Sequence, residues 1–198
     1  MITVLLAAYN GEKYLSEQLD SLLGQSFNDF KILIRDDAST DNTVKIAEEY
    51  CEKYPDKIAL IKGEGTGSAC RNFFELIKAV DDDYVMFCDQ DDVWLPEKIA
   101  KTFKKMRETE SENAALPVLI HSNLKVVDRN LNVISDSFFE FQAISPERDS
   151  LNNLLMQNNV TGCTVMINRK MLELAKEAPD NCVMHDWWLA LLACIFGK

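Results

Sequence analysis

Apolar residues follow two alternating spacings along the first half of the chain. The runs "ITVLLAAY", "FKILIR", "KIALIKG" and "DYVMFC" are short, dense and partly β-branched, the pattern of buried strands. Between them the apolar positions fall at helical intervals. In "GEKYLSEQLDSLLGQ" they are Tyr14, Leu15, Leu19, Leu22 and Leu23, with Gly24 as a stop. In "STDNTVKIAEEYCEKY" a face of Val44, Ile46, Ala47 and Tyr50 follows several N-cap candidates. A glycine-rich loop, "GEGTGSA", leads into a third helix, "CRNFFELIKAV". Strands alternating with helices from Met1 to Asp92 predict an α/β fold with a mainly parallel sheet. The second half is less regular. "WLPEKIAKTFKKM" predicts a helix after Pro96, "LPVLIHSNLKVVD" and "LNVI" predict strands joined by a turn at "DRN", "SPERDSLNNLLMQ" a helix, and "TGCTVMINRKMLELA" a strand followed by a helix. With no internal repeat, low-complexity segment or linker, residues 1–198 read as one domain.

Polar residues cluster where the predicted strands end. Tyr9 and Asn10 follow the first strand, Asp36 and Asp37 the second, and Asp89 to Asp92 the fourth. Ligands of such sheets sit outside the carboxyl ends of the strands. In "YVMFCDQDDVWLP" an apolar run enters three carboxylates, which repel one another when packed together. Alternate side chains at a strand end point the same way, so Asp89 and Asp91 are expected to converge on one hard cation, Mg²⁺ or Mn²⁺. A solvated acidic turn is the bland alternative for that triplet taken alone.

Composition narrows the choice. The 198-residue chain is 47% hydrophobic and 27% charged, the balance of a globular protein. Its net charge of −11 makes it a poor general binder of nucleic acid or anionic lipid, so a phosphorylated ligand requires a local cation or a metal. Six scattered cysteines form no C-x-x-C pair and no zinc spacing, which points to a reducing, cytoplasmic setting. The N-terminus lacks the basic region of a signal peptide, and no apolar run is long enough to span a bilayer. The apolar ending "HDWWLALLACIFGK" reads either as a chain that continues, the domain being truncated at its C-terminus, or as a buried helix.

The segments "AAYNG", "IRDDAST", "FCDQDDVWLPEKI" and "MHDWW" occur in the order found in family 2 glycosyltransferases, and the chain resembles that family over nearly its whole length. The resemblance is most specific in "DQDDVWLPEKI", and it leans toward bacterial enzymes of surface-polysaccharide synthesis, including rhamnosyltransferase-like members. It implies a GT-A fold, with a Rossmann-like central sheet covered by helices on both faces. It also implies an inverting, metal-dependent transfer from a UDP- or dTDP-sugar to a hydroxyl of a glycan or lipid-linked acceptor, with no nucleic-acid partner. Work at the inner face of the cytoplasmic membrane, with peripheral association, is part of the same expectation.

Carried over residue by residue, the resemblance puts Ala8 and Tyr9 beside the base, Asp37 on a base N–H, and Arg71 on the donor. Asp89 falls near the ribose or metal, and Asp91 on the metal. Asp186 becomes the general base that takes the proton of the acceptor hydroxyl, and Gly162 and Trp187 lie on the acceptor side. Cys70 stands where an alanine is usual, and His185 where an acidic residue is common. The residues leave other meanings open. Asp186 also suits a helix start, Gly162 an ordinary turn, Trp187 and Trp188 the core, and His121 packing. Two alternatives accompany the transferase reading: a nucleotidyltransferase acting on sugar phosphates, and an inactive nucleotide-sugar or glycan-binding module. "GEGTGS" lacks dinucleotide-fingerprint spacing and follows the third strand, so it carries no cofactor reading.

Overall fold

The computed structural model describes residues 1–179 and 181–198. Its first half runs β1 (Ile2–Ala8), α1 (Leu15–Leu23), β2 (Phe30–Asp36), α2 (Thr43–Lys53), β3 (Ile58–Lys62), α3 (Ala69–Lys78) and β4 (Tyr84–Asp89). The second half begins with α4 (Lys98–Glu112), β5 (Leu119–Ile120), β6 (Val126–Val127), β7 (Val133–Ser135), α5 (Phe138–Phe141) and α6 (Leu151–Met156). A 3₁₀ turn (Gly162–Thr164), β8 (Met166–Asn168), α7 (Arg169–Ala175) and α8 (His185–Phe196) complete it. Among the described residues, six strands form one sheet in the order β3-β2-β1-β4-β8-β5. β1 pairs in parallel with β2 and β4, and β2 with β3, while β8 runs antiparallel to both β4 and β5.

Alternation along the strands sorts the core into two layers. On one face Leu5, Val85, Phe87 and Ile167 pack under α3, α7 and α8, through Phe73, Ile77, Met171, Leu172 and Leu189. On the other, Val4, Leu6, Ile32, Ile34, Met86 and Cys88 pack under α1, α2 and α4, through Leu15, Leu19, Leu22, Ala47, Ile99 and Met106. The mostly parallel sheet with helices on both faces is the GT-A architecture anticipated above. At β1 the sheet order reverses, with β2 on one side and β4 on the other. That is the switch point at which open α/β sheets leave a crevice.

The second half departs from its predicted strands. "LPVLIHSNLKVVD" does not form one strand. Leu119–Ile120 joins the main sheet through β8, whereas Val126–Val127 leaves it to form a separate hairpin with β7. The turn at "DRN" is closed by Asp128, whose carboxylate accepts from the N–H groups of Asn130 and Asn132 at 2.8 and 2.9 Å. The run has apolar residues enough for a strand, but polar His121, Ser122 and Asn123 interrupt it where it leaves the core. No helix among the described residues is long and apolar enough to cross a membrane.

Candidate active site

The ends of β1, β2 and β4 open into a cleft of about 640 Å³. Its walls include Ala8, Tyr9, Asp37, Asn72, Asp89 and Asp91, together with Gly65, Gly67 and Ser68 of the loop before α3. Three segments far apart in sequence meet here because the parallel register sets Ala8 beside Asp36 and Ala7 beside Asp89. Several residues around the cleft have left-handed backbone: Asn10 (φ 49°), Ala38 (φ 64°), Gly65 (φ 87°) and Gly67 (φ 68°). Such conformations cost a non-glycine residue about 1 kcal/mol or more, and they gather where a chain must turn sharply around a ligand.

The β1 end is held by a residue that motif reading passed over. The side-chain amide of Gln90 accepts from Tyr9 N–H at 2.8 Å and donates to Tyr9 C=O at 2.9 Å. This two-point clamp fixes the backbone that follows Ala8 and leaves the Tyr9 ring 55% exposed over the cleft. Gly11 makes room for it: a Cβ there would stand 2.2 Å from Gln90 Oε1. Asp36 serves the β2 end, accepting from Ser39 N–H at 2.9 Å and from the Ser39 hydroxyl. Asp37 is 5% exposed and takes donors from Arg35, Thr66 and Gly67. Burial alone would raise its proton affinity, but those hydrogen bonds together hold it below the ordinary carboxylate value.

At the β4 end the strand stops at Asp89, and residues 90 and 91 form a turn. Strand alternation therefore stops at Asp89, and Asp91 reaches the same cleft wall from the turn. The structure also draws Asp89, Asp92 and Cys163 together, with their potential ligand atoms all within 4.8 Å of one another. Asp91 stays exposed at the cleft wall. Burial, then repulsion from Asp92, Asp91 and Asp186, pushes Asp89 up to about 7. Burial also raises Asp92, whose Oδ2 is enclosed with no hydrogen-bond partner. Crowded carboxylates with an orphaned buried oxygen suit a divalent cation supported by oxygen ligands. Burial keeps the Cys163 thiol protonated, which leaves the carboxylates as the ligands for a hard ion.

Lys98, from the "WLPEKI" segment, is a second contributor that spacing alone did not reveal. Its ammonium donates to Cys163 C=O at 2.6 Å and lies 3.8 Å from the Trp94 ring centroid. Burial lowers its proton affinity, while Asp92 and Asp89 draw it back up. It ties the first turn of α4 to the Gly162–Thr164 turn and places a cation beside the carboxylates.

Asp186 is 8% exposed in the first turn of α8 and stands outside the cleft wall, close enough to raise Asp89. Its Oδ1 accepts from Trp187 N–H at 2.6 Å and Asn158 Nδ2 at 3.1 Å, and its Oδ2 from Gly162 N–H at 3.0 Å. Burial raises its proton affinity, and these bonds offset part of the rise. Asn158, unflagged by any motif, thus orients the carboxylate while pinning its own loop through Val160 C=O at 2.8 Å. Gly162 does not face open space. A Cβ there would meet His185 Nε2 at 2.7 Å, so its bare α-carbon serves packing against His185 and Asp186. His185 is 3% exposed, stacks 4.1 Å from Phe73, and is driven by burial to about 3, hence neutral. The Trp187 indole donates to Leu154 C=O at 2.6 Å, joining α8 to α6, and Trp188 packs against the core. His121 sits 6.2 Å from Phe139, in packing contact. Arg71 is exposed and lines a neighbouring depression with Cys70, Phe74 and Cys182, apart from the cleft walls. The α3 face turned toward the cleft belongs to Asn72, because Arg71 and Asn72 are about 100° apart around the helix.

A mostly parallel α/β sheet with a switch-point cleft and a carboxylate cluster at one strand end is a fold of the GT-A type. The profile described as "Glycosyl transferase family 2" matches residues 3–174, and the chain belongs to that family. The dTDP-rhamnosyl transferase RfbG of Shigella flexneri is 31% identical over 93% of this chain and 63% of its own length. An Escherichia coli relative, the UDP-Glc:alpha-D-GlcNAc-diphosphoundecaprenol beta-1,3-glucosyltransferase WfgD, is 22% identical over 87% of this chain and 62% of its own. The chain thus spans less than two thirds of either relative. Among solved structures, the Pyrobaculum calidifontis mannosyltransferase PcManGT, in complex with GDP-Man and Mn²⁺, superposes with a TM-score of 0.69. It covers 95% of this chain and 50% of its own at 17% identity, which speaks for the shared fold.

Proposed function

We propose that the chain transfers a sugar from a UDP- or dTDP-sugar to a hydroxyl of a glycan or lipid-linked acceptor, with inversion, in the synthesis of a bacterial surface polysaccharide. The observation that carries the proposal is the convergence, in one cleft, of Ala8, Tyr9, Asp37, Asp89 and Asp91 from three strand ends, with Asp186 close behind. Family membership and the sugar-nucleotide donors in the relatives' names agree with it. In this reading the Tyr9 backbone and Asp37 receive the base, and Asp89, with Asp91 or Asp92, holds Mg²⁺ or Mn²⁺. A divalent ion there neutralises charge on a departing diphosphate. The other duties belong to the chain. Asp186, oriented by Asn158 and Gly162, accepts the acceptor hydroxyl's proton as that oxygen attacks the anomeric carbon. Attack on the face opposite the leaving diphosphate inverts the centre in one displacement. Arg71 reaches the donor in this scheme only from the adjoining depression, and Trp187 supports the acceptor side through α6. Residues 1–198 belong to one catalytic domain, which works in the cytoplasm, where the acceptor lies at the inner membrane face.

The test is release of nucleoside diphosphate from UDP- and dTDP-sugars with Mn²⁺ present. Release that depends on metal and disappears in Asp186→Asn, while calorimetric nucleotide binding persists, supports the transferase. Pyrophosphate release would mark a nucleotidyltransferase instead. Binding without turnover would mark a binding module.

A further inference from the structure

The Asp37 carboxylate is already full. Oδ1 accepts from Arg35 at 2.9 Å and from Thr66 N–H at 2.7 Å. Oδ2 accepts from the Thr66 hydroxyl at 3.0 Å and from Gly67 N–H at 3.0 Å. A carboxylate offers about four lone-pair sites, so a nucleobase N–H gains Asp37 only by displacing one of these donors. Arg35 is a poor candidate to leave. It is 7% exposed, its guanidinium also donates to Asn72 Oδ1 at 2.7 Å, and Gly63 passes so close that a Cβ would stand 2.4 Å from it. The loop donors are different. Gly65 and Gly67 are exposed with left-handed backbone, and a Cβ on Gly67 would meet nothing within 4 Å. Beyond Asp37, Thr66 is tied only to its own turn: its single hydroxyl proton is shared with Ser68 C=O at 3.0 Å, and its oxygen accepts from Ser68 N–H at 3.4 Å.

We infer that Thr66 is a donor-selecting residue, whose hydroxyl and N–H occupy Asp37 and yield it to a base that brings its own ring N–H. The inference rests on reading the cleft as a nucleoside-diphosphate site. Its chemistry is an exchange of donors on one acceptor. Uracil, thymine and guanine each present a protonated ring nitrogen and can replace a Thr66 donor. Cytosine presents an unprotonated ring nitrogen at that position, which repels the carboxylate, and its exocyclic amine lies to one side of it, so Thr66 stays in place. The released Thr66 hydroxyl keeps Ser68 C=O as its acceptor and the released N–H groups turn to water, so the exchange strands no polar group. Thr66 thereby sets the threshold that a base must pass, and Asp37 reads the base only after the loop has moved aside.

The experiment is calorimetric titration of the 198-residue chain with UDP, dTDP, GDP and CDP, with Mn²⁺ present, for wild type, Thr66→Val and Thr66→Ser. Amide exchange of wild type is followed with and without UDP. Valine keeps the shape of threonine and removes the competing hydroxyl. At least one imide-bearing diphosphate is expected to bind Thr66→Val about tenfold tighter than wild type, the scale of one hydrogen bond to a charged group. CDP should show no such gain, and Thr66→Ser should restore wild-type affinity. In wild type, the Thr66 and Gly67 amides should exchange slowly in the free chain and faster in the complex. Nucleotide binding that Thr66→Val leaves unchanged or weakens, with both amides equally protected throughout, overturns the inference and leaves the donor site standing. A gain shared equally by CDP also overturns it. Failure of every diphosphate to bind any of the three chains overturns both the inference and the nucleotide reading beneath it.

Discussion

Replacing Asp89 by Asn is expected to make the metal-free protein more stable, and increasingly so as pH rises. In the folded chain burial and the neighbouring carboxylates push Asp89 to about 7, against an ordinary 3.8. Unfolding restores the ordinary value. Between those two values the folded state therefore holds a proton that the unfolded state has released. The stability tied to that proton is fully present below the unfolded value and is lost as pH rises through the folded one. A gap of about three pH units corresponds to a penalty on the wild type of roughly 2 kcal/mol at pH 5 and roughly 4 kcal/mol at pH 8. Asp89 keeps partial solvent contact, and screening reduces these figures to about half. Asparagine has no charge to bury, so Asp89→Asn escapes the penalty. Urea unfolding of both proteins with a chelator, at pH 5 and pH 8, reads the difference. The variant should lead by about 1 kcal/mol at pH 5 and about 2 kcal/mol at pH 8. Saturating Mn²⁺ should reverse the order, because an ion bound at about a hundred times its dissociation constant stabilises the wild type by about 2.7 kcal/mol. A variant less stable than wild type at pH 8, or a gap that narrows as pH rises, would refute the claim that crowding and burial strain this carboxylate.

Three further substitutions probe the surrounding frame. Lys98→Met removes the buried ammonium and leaves Cys163 C=O without its donor at 2.6 Å; denaturant unfolding should show a loss of about 1–3 kcal/mol. Asn158→Ala strips one donor from Asp186, which favours the protonated carboxyl; the acid limb of the kcat–pH profile should move upward by about 0.5–1 pH unit. An unmoved limb would argue against Asp186 as the base. Gly11→Ala sets a methyl 2.2 Å from Gln90 Oε1 and should open the Tyr9 clamp, weakening nucleotide binding several-fold in calorimetry. Adding Gln90→Ala to that variant should cost little more, since both changes break the same contact.

Much of the architecture is legible in one dimension because it rests on local rules. Period-2 and helical spacing mark β1 to β4 and the helices between them, and strand–helix alternation implies parallel pairing. The motif order then pointed to the family that the profile match shows. Polar residues just beyond three strands mark the cleft in the sequence itself, since a parallel sheet aligns its carboxyl ends. What the tertiary structure decided depends on distance and burial. "DQDD" does not reveal that the strand ends at Asp89, or that Asp92 is brought close to it. It does not reveal that a turn more than 70 residues later supplies Cys163, or that Gln90 reaches back to clamp Tyr9. A helical register, invisible in "ACRNFF", turns Asn72 to the cleft and Arg71 away from it. Nor does the sequence reveal that His185 fills the space beside Gly162, or that Arg35, Thr66 and Gly67 already donate to Asp37. Periodicity follows from backbone geometry, which every residue carries with it. Which donor meets which acceptor follows from how the layers pack, and only the folded chain sets that.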